Sequence, residues 1–314
     1  MQHRAPARDS TSLPAGMRAS LLGAWRQARP AQRFGYLVGG ALILVGLAHL
    51  AAWLAVGGAW QGPVSYRKPT TFGLSFGLTT ITLAWVTGHL RITDRTRWLL
   101  LGPLAAADTY EVAWVTVQHA RGLPSHFNDT TVLDERLFIG GAVMVAIAIL
   151  VIAAMTLAAF VRTSAPAPMA LAIRAGLVTL LAAQATGMWM LLHGLALLDA
   201  DADPTISSMS TYGPAGSMKF AHAVPMHAIQ VLPTLAWLLS LAAVAERRRL
   251  ALVWTATLGY VALVAVSLLQ TAAGLAPLDV GVATTVLALL GVALLGGAFG
   301  AALLALRHPT PAST

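Results

Sequence analysis

Eight apolar stretches of bilayer-spanning length constrain this chain more than any single residue does. A helix rises 1.5 Å per residue, so about 20 apolar residues cross the hydrocarbon core of a membrane. Segments 34–56, 71–90, 98–118, 138–161, 172–197, 218–243, 250–271 and 281–306 meet that length. Only 10% of the residues are charged, and 57% are hydrophobic; a soluble domain carries about a quarter charged residues. The expected fold is all-α, a polytopic membrane bundle of eight transmembrane helices over residues 34–306. Residues 1–33, rich in Arg, Ala and Pro, read as a basic, disordered cytoplasmic tail, and 307–314 as a second tail. The first apolar stretch exceeds a signal-peptide core and is followed by no A-x-A site, so it reads as a retained helix.

The charges then orient the bundle. With the N-terminus inside, fifteen of the twenty Lys and Arg fall on cytoplasmic segments, among them Arg91, Arg95, Arg97, Arg162, Arg174 and Arg247–Arg249. The outer side keeps Arg67, Lys68, Arg121, Arg136 and Lys219, and gathers Asp129, Asp134, Glu135, Asp199, Asp201, Asp203 and Asp279. The positive-inside rule places both termini in the cytoplasm. The net charge of +8 therefore reflects topology, and nucleic acid is not an expected partner; the lipid bilayer is. The absence of cysteine excludes disulfides, thiolate metal sites, iron–sulfur clusters and covalent c-type haem.

Polar groups inside apolar helices are costly and mark candidate sites. In "DTYEVAWVTVQH", Asp108, Glu111, Val115, Gln118 and His119 fall on one arc of about 100°. Carboxyls at that depth must be protonated, hydrated or paired. "KFAHAVPMHAIQVLP" places Lys219, His222, Met226, Gln230 and Pro233 on one face. His227 lies five residues from His222, about 140° round an ideal helix, which is not the i, i+4 spacing of a chelating pair. Pro225 removes a backbone donor between them, and local unwinding would bring the rings closer.

Six histidines are expected in the outer half: His49, His119, His126, His193, His222 and His227. In "RGLPSHFN", Gly122 and Pro124 fix a turn that folds Arg121, Ser125, His126 and Asn128 back over the bundle, or simply caps the next helix. In "WQGPVSYRKP", Arg67 and Lys68 break the positive-inside trend and suit an anionic solute, lipid phosphate or structural anchoring.

Together the patterns W-x-G-P-x-S-x-R-K-P, R-G-x-P-S-H-F-N and K-x2-H-x4-H-x3-L-P resemble a group of multi-pass bacterial membrane proteins. The resemblance runs over much of residues 60–233 and implies a bacterial inner-membrane location and no particular activity. Haem A synthases share the eight helices and outer-side histidines, but carry their ligands on even-numbered helices beside a glutamate motif, so the likeness there is one of architecture.

Four readings of function follow. In a redox or metal protein, His119, His126, His222 and His227, with His49 and His193 secondary, would ligate a b-type haem or a copper or zinc ion. Quinol or a periplasmic redox partner would exchange electrons there. In a cofactor-free, proton-coupled small-solute transporter or sensor, Asp108, Glu111 and Lys219 would form a proton relay. Its pocket would be lined by Gln118, Arg121, Ser125, Asn128, Met226, Gln230, Arg67 and Lys68. A hydrolase using Ser125, His126 and Asp129, and a structural or assembly protein, are the remaining two. All of them rest on one spatial expectation: the third and sixth spanning segments turn their polar stripes towards each other beneath an outer lid.

Overall fold

The computed structural model describes residues 13–128, 130–199 and 218–306. Ten helices form among these residues: α1 (Leu13–Gln27), α2 (Pro30–Val56), α3 (Arg67–Thr87), α4 (Asp94–Ala120), α5 (Val132–Val161), α6 (Ala167–Asp199), α7 (Met218–Met226), α8 (Ala228–Ser240), α9 (Glu246–Ala272) and α10 (Val282–Ala305). The long loop expected after α6 and the residue Asp129 lie outside the described residues.

The surface identifies the solvent this fold is built for. Leu44, Leu54, Leu150, Leu157, Leu258 and Leu303 are each more than half exposed, whereas Asp108, Glu111, Gln118 and Asp134 are buried. Apolar groups outside and acids inside reverse the arrangement of a soluble domain. Six spans are long and apolar enough to cross a membrane: α2, α5, Ala167–Ala196 within α6, the α7–α8 pair, α9 and α10. α3 and α4 are long enough but too polar to join that set. They are the helices that carry the candidate site.

Close backbone contact fixes α3 against α2. A Cβ on Gly77 would lie 2.5 Å from the Gly39 carbonyl, and one on Gly73 would lie 2.5 Å from the Gly46 amide. Where lipid is as apolar as leucine, small residues at matched positions bring helices together through dispersion. α4 packs on the other side of α3, with Leu83, Leu101 and Leu104 fully buried. Leu177 and Leu180 of α6, with Ile229, Leu232 and Leu235 of α8, continue the same core.

At one end of the bundle the turns are rich in arginine. Leu90 and Thr163 form an isolated bridge between the α3–α4 and α5–α6 turns. Arg97 donates to Asp94 at 2.7 Å and to the Thr87 carbonyl at 3.3 Å. The first 33 residues are not wholly too polar to pack, as their composition suggests. α1 lies among them, where Trp237 donates to Ser20 at 2.9 Å, Trp25 meets Tyr36 with ring centres 6.1 Å apart, and Met17 packs with Leu238, Ala242 and Leu306. Its few apolar side chains find a seam between helix ends.

Candidate functional site

At the opposite end, the start of α3, the last turns of α4 and the loop 121–131 meet. Aromatic contacts hold them together. Tyr66 lies edge-on to His119 with centres 4.5 Å apart, His49 of α2 approaches the same ring at 5.8 Å, and Phe72 meets His126 at 5.7 Å. His126 stacks on Trp114 of α4 at 4.5 Å. The α7 N-terminus joins the cluster, because Lys219 feels the charges of Arg67 and Lys68.

The loop is built on backbone geometry that its sequence partly announces. Gly122 takes φ 70°, as the turn requires, but Phe127 also takes φ 57°, a conformation that bulky residues adopt only when their surroundings impose it. Its ring fits against Gly194 of α6, where a Cβ would collide with it, and meets Phe138 of α5 at 5.9 Å. Asn128 accepts from the Thr130 amide at 3.2 Å and donates to the Pro124 carbonyl at 3.1 Å. It thus serves the turn and does not face a pocket.

Arg121 and Gln118 are likewise engaged. Asp134 accepts from Gln118 Nε2 at 2.7 Å and from Arg121 Nη1 at 2.5 Å, while Thr131 donates to its second oxygen at 2.6 Å. Asp134 also donates its amide to Thr131 Oγ1 at 3.2 Å, so Thr131 caps α5 while Asp134, bonded to it, holds Gln118 and Arg121 at the end of α4. The T-x-x-D pattern before an apolar run carried that signal.

The expectation that α4 and α7–α8 face each other directly is not met. α3 stands between them. Thr80 of α3 is hydrogen-bonded to Asp108 of α4 at 2.5 Å, and the neighbouring Thr79 is bonded to Gln230 of α8 at 3.3 Å. His222 turns the other way: its Nδ1 meets the Ala183 carbonyl of α6 at 2.7 Å, and the ring fills the space beside Gly187. α3 can enter this polar layer because its glycines bring it hard against α2 and its threonines offer hydroxyls to both flanks. His227 ends α7 and caps α8, Met226 packs against the apolar core, and His193 is exposed on α6.

Glu111 is buried with little compensation. The residue is 3% exposed and its Oε1 is buried without a hydrogen bond. That oxygen points to Gly141 of α5, where a Cβ would lie 3.1 Å away. Lys68 of α3 and Asp108 of α4 are the charged groups whose fields reach the carboxyl. In the loop, burial, reinforced by the positive charges of Lys68 and Lys219, holds the His126 imidazole well below its ordinary range. It is therefore neutral at pH 7. Ser125 Oγ and His126 Nδ1 are 3.1 Å apart.

A cavity of about 10 Å³ opens beside these groups, lined by Pro63, Val64, Ser65, Lys68, Pro69, Val115, His119, Leu123 and Ser125. Lys68, His119 and Ser125 are the sequence candidates that reach it; Ser65 stands in the W-x-G-P-x-S-x-R-K-P pattern but is not among the candidates. Among the described residues, no three His, Asp or Glu side chains are grouped to hold a metal ion. Comparison with protein-family models, curated proteins and solved structures finds no match for this chain.

Proposed function

We propose that this chain is a cofactor-free, proton-coupled transporter or sensor of a small solute, with Glu111 as the group that carries the proton and Lys68 as its counter-charge. The observation that carries the reading is the buried Glu111 oxygen that accepts no hydrogen bond, on a carboxyl within electrostatic reach of Lys68. A buried polar atom left unsatisfied needs a reason, and a carboxyl that gains and loses a proton supplies one. When Glu111 is ionised, Lys68 balances it. When Glu111 takes up a proton, the Lys68 charge is released to act on whatever enters from the loop side. Asp108 lies one helical turn deeper on α4 and hands on to Thr80. The relay thus runs through α3, with Lys219 at its outer end.

The chain is further proposed to cross a bacterial inner membrane eight times, α3 and α4 included, with both termini inside. The arginines at one end of the bundle support that orientation. The redox reading, with b-type haem, copper or zinc and a quinol or periplasmic partner, has less support. Among the described residues the His49 and His119 rings meet at 5.8 Å, while His126 is stacked on tryptophan and His222 is turned to α6.

The deciding experiment is infrared difference spectroscopy of the purified protein in lipid as pH is stepped from 5 to 9. A carboxylic-acid band that titrates in the native protein and is lost in Glu111→Gln is the expected result. A band unchanged by that substitution overturns the proposal, and so does a purified protein showing a Soret absorption or a stoichiometric metal.

A further inference from the structure

The small cavity next to Lys68 has the chemistry of an anion site. Its polar lining consists of the Ser65 hydroxyl, the Lys68 ammonium, the His119 ring and the Ser125 hydroxyl, and no carboxylate lines it. Two of these groups are buried without hydrogen bonds. Ser65 is 2% exposed and its Oγ has no partner, and His119 Nδ1 is likewise buried and unbonded. Ser65 precedes α3, so the cavity also lies at the positive end of a 21-residue helix. The other walls, Pro63, Val64, Pro69, Val115 and Leu123, are apolar side chains that supply no ligand for a cation.

Size narrows the class further. The centre of a water-sized particle has about 10 Å³ in which to move, room for one small particle. An ion of one atom suits so small a space better than a phosphate, sulfate or carboxylate, which carries several heavy atoms. We infer that the cavity between the α2–α3 turn, the start of α3 and the end of α4 is a binding site for a monatomic halide, held by Lys68, Ser65 and His119. The inference names a solute class for the function proposed above, but it rests on the cavity lining alone and not on any proton carried by Glu111.

The test uses the full chain purified in detergent, with sodium chloride or bromide exchanged for sodium gluconate at constant pH and ionic strength. Halide should raise the unfolding midpoint saturably, and gluconate should not. Lys68→Met should abolish the effect. Ser65→Ala, a smaller change, should fold and weaken halide binding by roughly tenfold, as expected when a hydrogen bond to a charge is lost. Crystals soaked in bromide should show one anomalous peak in this cavity. Glu111→Gln should keep the halide response, so failure of the proton reading would leave this one standing. Equal stabilisation by gluconate, a halide response unaltered in both Lys68→Met and Ser65→Ala, or a cavity holding only water in the bromide-soaked crystal would overturn it.

Discussion

The hydroxyl of Thr80 lies 2.5 Å from Asp108 Oδ2 and at the same time 2.8 Å from the Phe76 carbonyl of its own helix. A hydroxyl owns one proton, so both contacts are filled together when Asp108 carries a proton of its own and donates it to Thr80. The arrangement joins α4 to α3 through an acid buried in the bundle.

From that sharing, the two partners should respond unequally to substitution. Asp108→Asn keeps a donor towards Thr80 and should unfold close to the native midpoint. Asp108→Leu should also be mild, because Thr80 still donates to Phe76. Thr80→Val strips a buried acid of its hydrogen bond and should cost about 1–3 kcal/mol, and adding Asp108→Leu should return most of it. Thermal unfolding of the three variants and the double variant checks the order.

The polar face of α4 was legible because helical periodicity alone puts Asp108, Glu111 and Gln118 on one side, and all three are buried. What faces them was not. Thr79 and Thr80 are unremarkable letters in a helix, and only the packing of Gly73 and Gly77 against α2 brings those hydroxyls between α4 and α8. The same holds for His222, whose ring direction depends on the gap at Gly187, a feature with no periodic signature. The break after Pro225 was readable from the missing backbone donor. The φ of Phe127 was not, since nothing local favours it.

The glycine contacts between α2 and α3 should be sensitive to a single methyl. A Cβ on Gly77 would meet the Gly39 carbonyl at 2.5 Å and the Ile43 amide at 2.9 Å. These are backbone atoms, which cannot swing aside as a side chain can. Gly77→Ala should therefore force the helices apart and cost about 1–3 kcal/mol. Gly102, with open space around its Cβ position, should accept alanine without loss. Paired unfolding measurements on the two variants separate the packing effect from any effect of helix propensity.

Acid should weaken the loop through His126. Its folded pKa is depressed by burial first, then by Lys68 and Lys219, while the unfolded chain takes up that proton near pH 6.5. The unfolded state thus binds more protons as pH falls below about 6.5, and stability is lost in that direction. Above that pH the contribution is fully present. His126→Gln removes the titrating group, so the drop in unfolding midpoint between pH 7.5 and 5.5 should be smaller in the variant than in the native protein. An identical drop in both would assign the acid sensitivity elsewhere.

Orientation can be read directly, because the chain has no cysteine and any introduced thiol stands alone. Gln61 and Asp279 are exposed in turns at the end of the bundle that carries the candidate site, and Ser164 and Ala243 are exposed at the arginine-rich end. If the arginine-rich turns are retained on the cytoplasmic side, a membrane-impermeant maleimide added to intact cells should label Gln61→Cys and Asp279→Cys. Ser164→Cys and Ala243→Cys should react only after permeabilisation. The pair Gln61 and Ser164 matters most, since an odd number of crossings between them would place them on opposite sides. They are separated by α3, α4 and α5, so opposite labelling requires that the two polar helices, α3 and α4, either both cross or both fail to cross. Adding Arg91→Cys, in the turn between α3 and α4 and exposed, decides between those cases. Protection of Arg91→Cys in intact cells, with labelling after permeabilisation, means both helices span the bilayer, and labelling in intact cells would overturn their crossing.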